Sequence, residues 1–278
     1  MPRFAALEAG GTKFVCGVGS GPADLHTVEF PTTRPAETID RCIEFFRHEA
    51  GTGFEALGIG AFGPVNLAAG RITSTPKAGW RDCDLAGPFR SALGVPVMFQ
   101  TDVNAALAGE ARWGAAQGVE HCLYLTVGTG IGGAALIAGQ VAGGDSHPEM
   151  GHIRIPHLPE DAGFAGVCPF HGDCLEGLAS GPAIAARTGY PGERLPADHP
   201  VWLLEAQYLA LGLASLVCTL SPSLCILGGG VMQQPGLLEM IHPRLSLLLN
   251  GYVPLPRLVR PALGVRAGVL GALALAGA

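Results

Sequence analysis

Short apolar runs alternate with segments of helical periodicity along the chain. The run from Phe4 to Ala9 predicts a buried strand, and the apolar residues from Phe14 onward predict its hairpin partner. Between Thr38 and Glu49 the apolar residues recur at helical spacing, which predicts a helix with Thr38 as its N-cap. The chain is therefore expected to open with a β-hairpin followed by a helix.

Two further apolar runs predict buried strands. The first run ends at Gly63-Pro64, a dipeptide that is typical of a turn. The second begins at Val95 and ends at Thr101-Asp102, which lead into a predicted helix from Ala105 to Trp113.

A second, similar series begins at Cys122. The strand predicted there runs into the glycine turn Gly128–Gly133, and the chain then returns as a strand, as it does near residue 10. Farther along, Trp202–Leu220 predicts a long apolar helix. This faint internal repeat indicates two related α/β lobes.

The last apolar helix, predicted from Gly268 to Leu275, is expected to pack back on the first lobe. The predicted smaller lobe therefore contains residues 1–105 plus 262–278. The larger lobe contains residues 106–261.

The composition is that of a globular protein with an aliphatic core. The chain is 48% hydrophobic and 14% charged, which is typical of a globular protein. Its length of 278 residues is enough for two lobes. A net charge of −6 argues against a nucleic-acid surface. No secretory signal follows Met1, and the apolar stretch Leu209–Leu220 is shorter than the roughly 20 residues that span a bilayer. We therefore expect a cytoplasmic protein that contacts neither nucleic acid nor membrane.

Glycine is the compositional anomaly, with 42 residues. Three clusters stand at predicted strand ends, where the missing Cβ lets backbone N–H groups converge on an anion. None fits the P-loop spacing or a dinucleotide-binding fingerprint. The candidate nucleotide-binding residues are Gly10, Gly11, Thr12, Lys13, Gly128, Thr129, Gly130, Gly132, Gly228, Gly229 and Gly230.

Cys168, His171 and Cys174 have the ligand types and close spacing of a tetrahedral zinc site. His152 is the candidate fourth ligand, and His147 and His157 are alternatives. Four protein ligands leave no open position for an activated water, so this zinc is predicted to be structural.

Asp102 stands where a predicted strand meets a predicted helix, a position suited to a general base. Its alternative role is to cap that helix. The two roles are compatible in one carboxylate.

The order of these motifs resembles the ROK family, which contains sugar kinases and repressors. Residues 8–13 and 126–133 resemble its two phosphate motifs, and residues 227–231 resemble its adenosine motif. Thr101-Asp102 resembles the start of the motif that carries the catalytic aspartate. The resemblance covers nearly the whole chain. It implies a two-lobed actin-like ATPase (ribonuclease H-like) fold with a nucleotide and sugar cleft between the lobes.

Residues 147–152 and 168–176 resemble the sugar- and zinc-binding motifs, and the second segment is most like the fructokinase branch. The resemblance implies phosphorylation of a hexose at its 6-hydroxyl, D-fructose giving fructose 6-phosphate, by ATP with Mg²⁺. Asp102 would be the general base. The implied sugar-binding residues are Gly63, Thr101, Asp102, Glu149 and Glu176.

Alternatives remain for the substrate and for the class of protein. Mannose, glucose or another hexose could be phosphorylated on the same scaffold. Repressors of the family carry an N-terminal helix-turn-helix segment, whereas the phosphate motif here begins by residue 8, so a kinase is expected. A homodimer is compatible with the resemblance.

One segment departs from the fructokinase branch. Where such enzymes carry Gly-Asp-Asn-Ala-Gly, this chain reads Gly264-Val-Arg-Ala-Gly268. The segment loses an acid and an amide and gains an arginine, which alters its predicted contacts on the nucleotide side or at a hinge.

Overall fold

The computed structural model describes residues 2–49 and 53–278. In chain order, the strands are β1 (Phe4–Ala9), β2 (Lys13–Gly19), β3 (His26–Pro31), β4 (Leu57–Ala61), β5 (Val65–Asn66), β6 (Arg71–Ile72), β7 (Val97–Thr101), β8 (Cys122–Val127), β9 (Ile131–Ile137), β10 (Gln140–Val141), β11 (Leu224–Gly228) and β12 (Arg257–Val259). The helices are α1 (Pro35–Glu49), α2 (Ala86–Leu93), α3 (Asp102–Trp113), α4 (Leu175–Ala179), α5 (Gly181–Thr188), α6 (Val201–Leu220), α7 (Leu237–Leu249) and α8 (Ala267–Ala276).

The chain divides into two compact units. The first unit comprises the described residues of 1–118, 143–147 and 262–278, and the second comprises residues 119–142 and 148–261.

The first unit is built on a mixed sheet in the order β3-β2-β1-β4-β7. Strands β1, β4 and β7 are parallel, while β2 and β3 extend the sheet by antiparallel pairing. The register pairs Ala9 with Ala61 and Ala61 with Thr101, so the parallel strands end at one edge of the sheet. Segments at this edge include the Gly10–Lys13 turn, Gly63 and Asp102.

Helix α1 begins at Pro35, earlier than predicted, because proline suits the first turn of a helix. Thr38 is therefore inside the helix and fully buried. Its hydroxyl accepts a hydrogen bond from the Thr33 N–H at 3.0 Å. The prediction that Thr38 is the N-cap is wrong.

Helix α8 packs on the sheet of the first unit, as predicted. A Cβ at Gly58 would lie 1.8 Å from the Ala272 carbonyl oxygen, and one at Gly271 would lie 1.9 Å from the Ala105 carbonyl oxygen. Glycine therefore permits backbone contact of α8 with β4 and with α3. This contact places α3 in the first unit, whereas the predicted lobe boundary at residue 105 cut through the helix.

The second unit is built on a mixed sheet in the order β10-β9-β8-β11-β12. Strands β8, β11 and β12 are parallel, and β9 and β10 extend the sheet by antiparallel pairing. This arrangement repeats the strand order of the first unit. The repeated order accounts for the faint internal repeat in the sequence.

Helix α6 is the central helix of the second unit, where Tyr208, Leu209 and Leu213 are buried. It begins at Val201 and has 20 residues, so it is longer than the apolar stretch Leu209–Leu220 on which the expectation of no membrane span was based. By length and composition α6 could cross a membrane, but 61% of its apolar window is buried within the protein. Such burial is typical of a core helix.

A buried ion pair joins helices α4, α5 and α6 of the second unit. Arg187 donates hydrogen bonds to Asp161 and to the Leu178 carbonyl, each at 2.7 Å. Tyr208 donates a further bond to Asp161 at 2.7 Å. Burial acts to raise the pKa of Asp161, but the hydrogen bonds from Arg187 and Tyr208 outweigh burial and lower that pKa. Asp161 is therefore a charged partner for Arg187.

We expect Arg187→Met to lower the free energy of unfolding by about 3–5 kcal/mol, because a buried carboxylate loses its cation. Both side chains of the pair are only 9% exposed. The matched control is Arg41→Met, which breaks an exposed Arg41–Glu37 pair whose side chains are 46% and 47% exposed. Its expected cost is below about 0.5 kcal/mol. Urea unfolding measures both losses, and equal losses would contradict the prediction.

Candidate active site and metal centre

The Gly10–Lys13 turn connects β1 to β2 at the edge of the first sheet. Gly10 donates its N–H to the Lys13 carbonyl at 3.0 Å, and the Thr32 hydroxyl donates to the Gly10 carbonyl at 2.7 Å. A Cβ at Gly11 would have no described atom within 4 Å, so the turn has open space beside it. Lys13 pairs with Glu29 at 2.6 Å, with side chains 54% and 57% exposed. Exposed pairs of this kind are weak, so Lys13 can exchange its partner for an anion.

Asp102 is the first residue of α3, and Thr101 is the N-cap. The Thr101 hydroxyl accepts a hydrogen bond from the Asn104 N–H at 3.1 Å, whereas Asp102 Oδ1 accepts from the Val103 N–H at 2.9 Å. The alternative role of Asp102 as N-cap is therefore wrong. Its carboxylate lies in the first helical turn, where the helix dipole favours a negative charge. Thr101 is 3% exposed, which leaves little of its surface for a ligand. Its contact with sugar therefore stays a prediction.

Glu8 on β1 is a second carboxyl group at this edge. It lies in the segment that resembles the first phosphate motif, but it was not among the predicted site residues. The Val269 N–H, in the first turns of α8, donates a hydrogen bond to Glu8. Burial, followed by the charge of Asp102, raises the pKa of Glu8 to about 7, while Lys13 acts in the opposite direction. An acid two residues before a glycine turn, at a buried strand end, was the sequence signal for this residue.

We expect Glu8→Gln to abolish part of the pH dependence of stability. Below pH 4.5 Glu8 is protonated in both the folded and the unfolded chain. Between pH 4.5 and about 7 only the unfolded chain releases this proton, so the folded state loses stability as the pH rises. From pH 5 to pH 8 the wild type should lose about 2 kcal/mol more than the variant. The groups around Glu8 are Asp102, Lys13, Glu29 and the Val269 N–H.

Urea unfolding at the two pH values measures this difference. The matched control is Glu44→Gln on α1, which changes an exposed glutamate and should leave the wild-type dependence unchanged. A Glu8→Gln variant with the same pH dependence as the wild type would contradict the prediction.

The glycine turns that follow β8 and β11 meet in the second unit. A Cβ at Gly128 would lie 3.9 Å from the Gly230 nitrogen, and the Gly181 N–H donates to the Gly128 carbonyl at 2.7 Å. Gly229 has a φ of 94°, and a Cβ there would lie 2.2 Å from the Val127 carbonyl oxygen. Only glycine fits this position. The two predicted turns therefore form one surface lined by backbone.

His152, Cys168, His171 and Cys174 come together in the second unit, with one ligand atom of each within 4.8 Å of the others. His152 Nδ1 lies 3.6 Å from Cys168 Sγ, 3.5 Å from Cys174 Sγ and 3.2 Å from His171 Nδ1. In a tetrahedral zinc site, bonds of about 2.3 Å to sulfur and 2.05 Å to nitrogen give edges of about 3.6 Å between sulfur and nitrogen and 3.3 Å between nitrogens. The three distances from His152 Nδ1 are therefore close to the edges of a tetrahedral zinc site.

The two rival histidines lie outside this cluster. His157 Nε2 is 3.9 Å from Asp173 Oδ2, and its ring packs against Tyr208. His147 belongs to the first unit, where its Nε2 lies 3.6 Å from the position that a Cβ would take at Gly63. Among the described residues, His152 is therefore the histidine that joins Cys168, His171 and Cys174.

The two predicted sugar-binding glutamates have different surroundings. Glu176 Oε2 accepts a hydrogen bond from the Ile131 N–H at 2.9 Å, and its Oε1 lies 4.0 Å from His152 Nε2. Glu149 is exposed and directly precedes the 3-10 turn Met150–His152. Glu176 is therefore bound to the protein itself, a contact that was not predicted from the sequence.

Paired mixed sheets with glycine turns at their strand ends define the actin-like ATPase fold, as predicted. The chain matches the ROK family over residues 4–278 and belongs to that family. It is similar to the crystal structure of a ROK family glucokinase from Streptomyces griseus in complex with glucose and AMPPNP. The TM-score is 0.79 at 29% identity, covering 99% of each chain.

Curated relatives are similar over nearly the same length. The fructokinase of Lactococcus lactis subsp. cremoris is 43% identical over 263 residues, which cover 91% of this chain and 87% of that protein. The fructokinase of Pediococcus pentosaceus is 40% identical over 283 residues, which cover 98% of this chain and 97% of that protein.

Proposed function

We propose that the protein is an ATP-dependent fructokinase that converts D-fructose to fructose 6-phosphate. The observation that carries this proposal is the identity of 43% and 40% with two fructokinases over nearly the whole chain. The position of Asp102 supports it, because the carboxylate stands at the same sheet edge as the Gly10–Lys13 turn.

Phosphoryl transfer requires the protein to position the reactants and to neutralise charge. We assign the phosphates of ATP to the glycine turns, with Mg²⁺ supplied as part of the nucleotide complex. Asp102 takes the proton of the 6-hydroxyl as the hydroxyl oxygen bonds to the γ-phosphorus, while the bond from that phosphorus to the oxygen of the leaving ADP breaks. Gly63, Glu149 and Glu176 are the proposed sugar contacts, and Thr101 fixes Asp102 by capping α3.

His152, Cys168, His171 and Cys174 are the proposed zinc ligands. The chemistry that zinc supplies here is structural, because four protein ligands complete its preferred coordination. The metal would order the segment from Cys168 to Glu176, and with it the position of the Glu176 carboxylate. The cytoplasmic location and the homodimer stay predictions.

An ADP-release assay across fructose, mannose and glucose tests the reaction. We expect kcat/KM for fructose to exceed that for glucose by about tenfold or more, because a site built around hydroxyl acceptors penalises a mismatched sugar. Preference for glucose would overturn the substrate assignment. The absence of turnover with every sugar would overturn the kinase assignment.

A further inference from the structure

The side chain of His152 faces two different partners through its two ring nitrogens. Nδ1 lies within 3.6 Å of the sulfur atoms of Cys168 and Cys174. Nε2 lies 4.0 Å from Oε1 of Glu176. A histidine that binds metal through one nitrogen commonly donates its other N–H to a carboxylate, which fixes the tautomer and the ring orientation. Glu176 is a carboxylate on that side of His152, although 4.0 Å is longer than a direct hydrogen bond.

The other oxygen of Glu176 is held by the first glycine turn of the second unit. Oε2 accepts the Ile131 N–H at 2.9 Å. A Cβ at Gly130 would lie 2.6 Å from Oε2, so this approach requires glycine. One carboxylate therefore contacts both a metal-ligand histidine and the Gly128–Ile131 turn.

A second contact joins the same turn to His152 through the backbone. A Cβ at Gly151 would lie 1.8 Å from the Ile131 carbonyl oxygen, so the peptide before His152 lies directly against Ile131. The contacts form a closed ring that runs from Ile131 through Gly151 and His152 to Glu176 and back to Ile131. Ile131 is 3% exposed, whereas the side chains of His152 and Glu176 are 23% and 21% exposed, so the ring is buried at its Ile131 end.

We propose that Glu176 is a positioning residue that couples zinc binding to the order of the Gly128–Ile131 turn. When His152 Nδ1 binds the metal, its Nε2–H points toward Oε1, which orients the carboxylate and keeps Oε2 on the Ile131 N–H. By reciprocity, an ordered turn strengthens zinc binding. This inference rests on the zinc site proposed above and is independent of which sugar is phosphorylated.

Hydrogen exchange of the full chain, zinc-loaded and after chelation, tests the coupling. We expect zinc to slow exchange at Ile131 and its neighbours in the turn, in addition to residues 168–174. Glu176→Ala should remove the effect on the turn while the Cys168–Cys174 segment is still protected by zinc. Glu176→Gln, which retains an oxygen acceptor and nearly the same shape, should keep part of the protection. Both variants should bind zinc about 10- to 100-fold more weakly in a chelator competition.

Asp173→Asn is the matched control, because it removes a carboxylate beside Cys174 that pairs with Arg154 and His157. It should retain both the zinc affinity and the coupling. Equal exchange at Ile131 with and without zinc in the wild type would overturn the inference, as would full coupling in Glu176→Ala. Metal analysis distinguishes a protein that binds no zinc from one that binds zinc without coupling it to the turn. A protein that binds no zinc overturns the zinc site and this inference together, while the hexose assay decides the kinase reaction separately.

Discussion

Asp102→Asn is expected to lower kcat for fructose by about 10²- to 10⁴-fold, the usual contribution of a positioned general base. The amide cannot accept the proton of the 6-hydroxyl, yet its oxygen can still accept the Val103 N–H that Asp102 now accepts at 2.9 Å. Thr101 continues to cap α3, because that bond uses a different side chain. The substitution should therefore remove the base without disturbing the helix.

The ADP-release assay measures kcat, and calorimetric titration with fructose measures binding. The dissociation constant for fructose should stay within about threefold of the wild type, because proton transfer contributes to the transition state and not to ground-state binding. The matched control is Asp84→Asn, which alters a carboxylate that accepts a backbone N–H at the start of another helix of the same unit, α2. Its kcat should be unchanged. An Asp102→Asn variant that retains a tenth of wild-type turnover would remove Asp102 as the base.

Much of the fold could be predicted because the apolar pattern records burial directly. The β1–β2 hairpin, the long helix α6 and the last helix α8 were found where the pattern placed them. The ends of helices were less accurate. Helix α1 begins at Pro35 and α3 begins at Asp102, both before the first predicted residue, because residues in the first turn do not need to be apolar.

The candidate site could be predicted only where the chain itself brings residues close. The glycine turns can be recognised from residues that are close together in the sequence. The same holds for the cysteines and the histidine within one segment. The role of Glu8 depends on contacts with Asp102 and α8, which lie far away along the chain. The contact of Glu176 with Ile131 spans 45 positions and leaves no trace in either local sequence.

The segment that departs from the fructokinase branch precedes α8. Residues Gly264–Arg266 form a 3-10 turn, and Arg266 donates to the Pro22 carbonyl at 2.9 Å. The side chain of Arg266, the N-cap residue, makes no capping hydrogen bond with α8. Glu8 instead supplies a carboxyl group to this helix start, through the Val269 N–H. A Cβ at Gly268 would lie 2.3 Å from the Glu8 carboxyl carbon, so the retained glycine is required by this packing. The arginine and valine replacements face solvent or a neighbouring carbonyl and leave that contact intact.

Cys174→Ser is expected to abolish stable zinc binding and to lower the free energy of unfolding by at least about 3 kcal/mol. Structural zinc in small domains contributes more than this. Here the proposed metal would join His152 to the Cys168–Cys174 segment. Burial, with the neighbouring Cys168 and Glu176, raises the pKa of the Cys174 thiol to about 11 against a hydrogen bond from the Gly177 N–H. Zinc must displace this proton, so the apparent zinc affinity should rise with pH.

Metal analysis of the purified protein should give one zinc per chain for the wild type and none for Cys174→Ser, and urea unfolding measures the stability loss. Cys218→Ser is the matched control, because Cys218 is an exposed thiol on α6 outside the cluster. It should retain its zinc and unfold within about 0.5 kcal/mol of the wild type. A wild type that carries no zinc yet matches the stability of Cys174→Ser would show that the Cys168–Glu176 segment is held by its own hydrogen bonds. The metal would then have no part in positioning Glu176.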